Sequence, residues 1–359
     1  MDQLLNEKIA LVKEVDNIFV DIAKKRLSEQ ARPVGSLGIL EGVSAKLAGI
    51  KKSLDIKLNN KKIIVCAGDH GIVEEGVSLF PQEVTPQMVF NFVNNGASIN
   101  VLAKHAGASV CVADIGVNYD FPKDLKIFHK KVRKGTNNFT KNIAMTRDEA
   151  IKSILNGIEV VEEIVEKENI DIIGVGDMGI GNTTPSAAII SSFSGIAVEK
   201  LTGYGTGISD LELKKKVDVI KTSLKKHAPD PNDPIDVLSK VGGLEIGGIA
   251  GVVIGAAIKN IPVICDGLIS TAGALIAYKL QPLIKSYLFA SHNSVEIGHK
   301  YMLDEIGLTP LLDLHFRLGE GTGAALAMEL IDASTRILAD IKTFEEVEII
   351  NQNSNSKFI

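Results

Sequence analysis

Three cysteines in 359 residues, odd in number and widely spaced, exclude a disulfide framework and offer no zinc-ligand spacing. Cys66, Cys111 and Cys265 each sit in an apolar, strand-like run, the setting of a reduced, buried small hydrophobe. No apolar run reaches the length of a membrane span, and Met1 to Glu14 carries acids and lacks the apolar segment of a signal peptide, so a soluble cytoplasmic protein is expected. A formal charge of −5 excludes a broadly basic surface. The lysines between Lys123 and Lys134 and the Lys214 to Lys216 run are short and offset by acids, so nucleic acid is not an expected partner. No glycine run continues into the Gly-Lys-Ser/Thr of a Walker loop, and none has the strict Gly-x-Gly-x-x-Gly spacing of a dinucleotide fingerprint, which argues against a nucleotide-dependent oxidoreductase. No internal repeat stands out.

What is there supports a large core: 45% of the residues are hydrophobic and 23% charged, enough for one big domain and a smaller one. Apolar runs at Ile63 to Ala67, Ser109 to Ile115, Ile170 to Val175, Pro262 to Cys265 and Tyr287 to Ala290 read as strands, with helical patterns between them. That alternation predicts an α/β fold with a parallel sheet covered by helices on both faces. Thr85-Pro86 reads as a cap and first helical position, and Thr146 to Glu149 as a capping box. Leu11, Val15, Ile18 and Ile22 repeat at helical spacing, and Leu330 to Ile341 continues helically, so the two chain ends are expected to form a small helical domain. The expected division is 55–330 for the large domain and 1–54 with 331–350 for the small one, with a polar, frayed tail over 351–359. Pro229 to Pro234 reads as a rigid connector.

The most informative segment is Leu318-Gly319-Glu320-Gly321-Thr322-Gly323, directly before an Ala-rich helical stretch. Glycines let a backbone approach a ligand closely, and a helix start presents unpaired N–H groups that favour an anion such as phosphate. A glutamate there reads as a general base whose neighbours hold an anionic substrate; taken alone, it reads equally well as a helix-start carboxylate stabilised by the dipole. Two further glycine loops, Gly174 to Thr184 and Gly203 to Gly207, also follow or precede helical starts, the second with Ser209 and Asp210 as caps. Three such loops point to one phosphate-lined cleft beyond the carboxyl ends of the strands, where Gly68-Asp69-His70-Gly71, Asp266-Gly267 and Ser291-His292-Asn293-Ser294 also gather.

Taken together, Arg32 to Gly38, Ala67 to Gly71, Pro81 to Thr85, Gly176 to Thr184, Val241 to Ile246, Asp266 to Thr271 and Leu318 to Gly323 closely resemble the nicotinate-nucleotide:dimethylbenzimidazole phosphoribosyltransferase family. The resemblance runs from Arg32 to the helix after Gly323. It implies a Rossmann-like large domain, a small helical domain from both chain ends, a homodimer, and transfer of the phosphoribosyl group of nicotinate mononucleotide to a benzimidazole with inversion at the anomeric carbon. The products are alpha-ribazole phosphate and nicotinate, in assembly of the cobalamin lower ligand. A positively charged pyridine leaves without a proton or a metal, so no cofactor is expected; what remains is to hold the donor and take the acceptor's N–H proton.

By the same resemblance Glu320 is the catalytic base, its pKa lifted by burial. Gly176, Asp177, Gly181, Asn182, Thr183, Gly205, Lys216, Ser291 and Gly319 are the phosphate and ribose contacts. Ser78, Phe80, Gln87 and Met88 face the benzimidazole. Asp177 departs from the glutamate more often found in the family, and Phe80 from tyrosine. Beside these roles, Lys216 also reads as part of a solvated lysine face, and Met88 as core packing. His70 and His292 read as hydrogen-bonded structural histidines, and Glu245 as a helix-start carboxylate or a supporting partner of the site.

Overall fold

The computed structural model describes residues 1–205 and 207–348, so Thr206 of the third glycine loop and the expected tail 351–359 lie outside the described residues. Seven strands form one parallel sheet: β1 (Lys61–Gly68), β2 (Ala108–Gly116), β3 (Phe128–His129), β4 (Ile172–Met178), β5 (Val263–Cys265), β6 (Leu288–His292) and β7 (Pro310–Leu312). Their spatial order is β3-β2-β1-β4-β5-β6-β7, with every neighbouring pair parallel, the doubly wound Rossmann arrangement. Successive side chains of a strand point to opposite faces, yet all of β1 is buried, so both faces are covered. The continuous apolar run Ile63 to Ala67 is the sequence form of that environment.

Helices cover the sheet. The Gly-rich helix Leu244–Ile258 packs on β1, β2 and β4 and against Arg147–Lys167. Close approach there rests on Gly157, where an added Cβ lies 2.0 Å from the Gly248 carbonyl oxygen. Thr146 and Glu149 cap the helix Arg147–Lys167 reciprocally, as their spacing predicts, and Ser209 does the same with Glu212 for Asp210–His227.

The chain divides into two compact units, Met1–Lys13 with Asn59–Met328, and Glu14–Leu58 with Glu329–Ile359. The second unit packs the helices Asn17–Glu29 and Ile39–Lys51 with the later turns of Thr322–Asp340, joined by Ser44 Oγ donating to Ser334 O at 2.7 Å and Gln30 Nε2 to Ile337 O at 2.6 Å. The first thirteen residues, expected in the small domain, group with the sheet: Lys8 pairs with Glu162 at 2.5 Å and the Tyr287 hydroxyl donates to Lys13 O.

Two helix expectations are corrected. The Leu11, Val15, Ile18, Ile22 stripe is not one core-facing face: helix Asp2–Ile9 stops before it, Asn17–Glu29 starts inside it, and Leu11, Ile18 and Ile22 are exposed. Thr85 does not cap its helix, which already begins at Val84; instead its Oγ1 accepts from Ile180 N at 3.2 Å, tying that helix to the glycine loop after β4. Of the cysteines, Cys66 and Cys265 are buried, while Cys111 is only partly so, because the first half of β2 is incompletely covered.

Candidate active site

A cavity of about 620 Å³ opens along the carboxyl ends of β4 to β7. Its wall takes Asp177 from the end of β4, Asn182 and Thr183 from the start of the helix Thr183–Ser194, Gly205 from the third glycine loop and Gly267 to Ile269 after β5. The last residue of β6 adds His292, and the segments after β6 and β7 add Ser294, Glu296 and the run His315 to Gly319. The three glycine loops therefore do meet in one cleft, and Phe80, Ser98 and Leu102 from the connection between β1 and β2 complete its wall.

Glu320 sits at φ +63° between Gly319 at +89° and Gly321 at +96°. Three left-handed residues in a row are strained for a glutamate and persist only where the surroundings hold them. Those surroundings are specific. Thr322 donates from N (3.1 Å) and Oγ1 (2.8 Å) to Gly319 O, and the Glu320 carboxylate accepts from Ile99 N at 3.1 Å, in the first turn of helix Ser98–His105. Glu320 is 6% exposed; burial raises its pKa, and the Ile99 N–H pulls it partly back. Glu320 is not itself on the cavity wall, but its neighbour Gly319 is, as is Ser98 beside Ile99.

The helix start after Glu320 does not wait for a substrate anion. The carboxylate of Asp266, at the end of β5, occupies it, accepting from Gly321 N (2.9 Å), Gly323 N (2.7 Å) and Ala324 N (3.2 Å). This corrects the expectation that the loop around Glu320 offers its N–H groups to an anionic substrate: an internal carboxylate satisfies them. Burial pushes the Asp266 pKa up to about 7 against the pull of these three donors, with the Glu320 charge adding to the rise. Ser291 Oγ donates to Asp266 O at 2.9 Å and lies 2.9 Å from His292 Nδ1. Ser291 thus braces this clamp and does not line the cavity.

The cationic end lies at the third glycine loop. Lys216 is almost fully buried, its Nζ donating to Thr183 Oγ1 at 2.7 Å, so it is no part of a solvated lysine face. Burial lowers its pKa to about 8, with Glu296 acting in the other direction. Gly205 is on the wall, but its N–H donates to Glu296 Oε1 at 2.9 Å and is not free for a phosphate. Asp177 Oδ2 accepts from Asn182 Nδ2 at 3.0 Å; burial first, then Asp266, Glu245 and Glu320, hold its carboxyl well above the usual range. Gly176 and Gly181 do not line the cavity: Gly176 packs under the Glu320 main chain, Gly181 against Val73.

Of the four residues expected at the benzimidazole, Phe80 alone lines the cavity, half exposed. Ser78 accepts from Phe80 N at 3.4 Å, and Gln87 and Met88 lie on helix Val84–Val93, so the structure does not bring these three to the wall. His70 is fully buried, 2.7 Å from Glu245 Oε1, a supporting pair beneath the loop after β1. His292 does line the wall, with its pKa lowered by burial to about 4, so it is neutral near pH 7. Residues not anticipated include Glu296, Phe316, Arg317 and Ser98. Glu296 stands two positions past the polar set Ser291 to Ser294, the one local cue to it.

A parallel sheet of this order whose cavity gathers glycine loops, with a buried lysine bonded to Thr183 of the wall and a strained buried glutamate beside Gly319 of the wall, is that of an anion-handling α/β enzyme. The sequence profile of the Phosphoribosyltransferase family matches residues 12–349, and the chain belongs to that family. It is 53% identical, over 97% of its length and 99% of the relative's, to the nicotinate-nucleotide–dimethylbenzimidazole phosphoribosyltransferase of Citrifermentans bemidjiense. It is 52% identical, over 96% and 98%, to the enzyme of the same name from Geobacter sulfurreducens. The crystal structure of CobT from Thermus thermophilus superposes with a TM-score of 0.89 at 40% identity, covering 93% of this chain and 99% of that one.

Proposed function

We propose that the chain transfers the phosphoribosyl group of nicotinate mononucleotide to dimethylbenzimidazole or a related base, releasing nicotinate and alpha-ribazole 5′-phosphate, as a cytoplasmic homodimer. The observation that carries the chemistry is Glu320, a buried carboxylate held in a strained turn beside the cavity. As the acceptor ring nitrogen attacks the anomeric carbon, the bond to the pyridinium nitrogen breaks and its electron pair neutralises the pyridinium. The acceptor's other ring N–H then becomes acidic, and Glu320 takes that proton. A carboxylate with a raised pKa is the better acceptor for it. Lys216 and the Asn182–Thr183 helix start hold the phosphate, Asp177 and Gly319 flank the ribose, and Phe80 offers its ring to the base. Incubating the protein with nicotinate mononucleotide and dimethylbenzimidazole tests the reading: base-dependent release of nicotinate supports it, and no release rejects it.

The two ionisable groups give opposite pH limbs. Glu320 acts deprotonated, so kcat/KM rises with pH through its raised pKa. Lys216 binds phosphate only while protonated, so kcat/KM falls as pH passes about 8. Arginine does not titrate in this range, so Lys216→Arg moves or abolishes the alkaline limb while leaving the acid limb in place. A wild-type alkaline limb retained in that variant assigns it elsewhere. The homodimer is checked by light scattering, which should return twice the 38.4 kDa of the chain.

A further inference from the structure

Two carboxylates on the cavity wall each keep one buried oxygen with no hydrogen-bond partner: Asp177 Oδ1 and Glu296 Oε2. Both residues are 6% exposed. Burying an acceptor unpaired is costly, and a donor arriving with the ligand removes the cost. A carboxylate oxygen that carries no proton only accepts hydrogen bonds, so the group that satisfies it must be an O–H or N–H, which an ionised phosphate does not offer. We propose that Glu296 accepts a hydroxyl of the donor's vicinal 2′,3′-diol and so selects a ribosyl over a deoxyribosyl donor.

The placement argues for the sugar. Glu296 Oε1 is pinned by Gly205 N at 2.9 Å, and its backbone N donates to Ser294 Oγ at 3.3 Å just before helix Ile297–Ile306. The free oxygen lies against the third glycine loop: a Cβ built on Gly203 falls 2.3 Å from Oε2, and one built on Gly205 falls 3.3 Å from Lys216 Nζ. The carboxylate and the cation assigned above to the phosphate thus border the same loop, at Gly203 and Gly205. The hydroxyls of a ribose 5-phosphate are the O–H groups nearest its phosphate. This inference rests on the phosphoribosyl reading and adds a residue that the family resemblance left out.

The test compares nicotinate mononucleotide with its 2′-deoxy and 3′-deoxy analogues in the wild type and in Glu296→Gln. The glutamine still offers Oε1 to Gly205 N–H, so only the unpaired oxygen changes. Wild-type turnover of the ribosyl donor is measured first and by itself decides the phosphoribosyl reading. With turnover established, one deoxy analogue is expected to lose about a hundredfold in wild-type kcat/KM, the size of a lost hydrogen bond to a carboxylate. Glu296→Gln is expected to lose about ten- to a hundredfold on the ribosyl donor and little more on that analogue, so the two losses overlap. Losses that multiply on both analogues overturn the proposal. So does a Glu296→Gln enzyme that binds inorganic phosphate more weakly by the same factor, because Glu296 would then act on the phosphate. Should the glutamine variant fail to fold, Glu296→Asp, which withdraws the carboxylate by one methylene, is read by the same two criteria.

Discussion

Glu320→Gln lowers kcat by about a thousandfold, within the range a positioned general base supplies, while the affinity for nicotinate mononucleotide stays within about twofold of wild type. Glutamine keeps an oxygen for Ile99 N–H and is isosteric, so the strained turn holds its place and only the proton acceptor is lost. The expected stability change has the opposite sign. Burial raises the folded-state pKa of Glu320, so the folded protein binds that proton more tightly than the unfolded chain does. The stability this contributes is present below the unfolded pKa and is lost as pH rises through the folded one. Near neutral pH the ionised carboxylate therefore costs stability, and Glu320→Gln should melt at the same temperature as wild type or higher. Steady-state nicotinate release, calorimetric titration with the donor, and a melting curve check the three parts.

Gly176→Ala is expected to cost about a hundredfold in kcat without touching any group that reacts. The new Cβ falls 2.3 Å from Glu320 O, 2.5 Å from its carbonyl carbon and 2.7 Å from Gly321 N. These are main-chain atoms, and neither side can step back: β4 is paired on both edges by β1 and β5, and the loop is clamped by Asp266. The methyl group must displace the turn that aims Glu320 or spread the sheet, a cost of about 1–3 kcal/mol for overpacking. A lowered melting temperature together with the kcat loss is the expected pair; a near wild-type kcat would show that the turn tolerates displacement.

The features readable in the chain were those imposed locally. Five apolar runs marked five strands because buried parallel strands are continuously apolar, whereas β3 has only two residues and β7, as short as β5, is a half-buried edge strand opening on Pro310. The glycines around Glu320 announced an unusual backbone, and the positive φ values there are the reason for them. The clamp on that turn was not readable, since Asp266 lies 55 residues before Gly321 and only the parallel register of β5 beside β4 brings them together. For the same reason the helix start seemed open to an anion. The stripe from Leu11 to Ile22 misled because four apolar residues at helical spacing occur across a break as readily as within a helix. Lys216 was ambiguous among three adjacent lysines; burial against Thr183 separates it from the other two.

The central claim is that Glu320 removes the acceptor's N–H proton, and the most direct measurement varies the acidity of that proton. Rates of wild type and Glu320→Gln are compared across benzimidazoles made progressively more acidic by ring substitution, ending with a nitrobenzimidazole. If Glu320 is the base, the ratio of wild-type to variant kcat shrinks steadily as the acceptor gives up its proton more readily. A ratio that stays constant across the series would contradict the assignment.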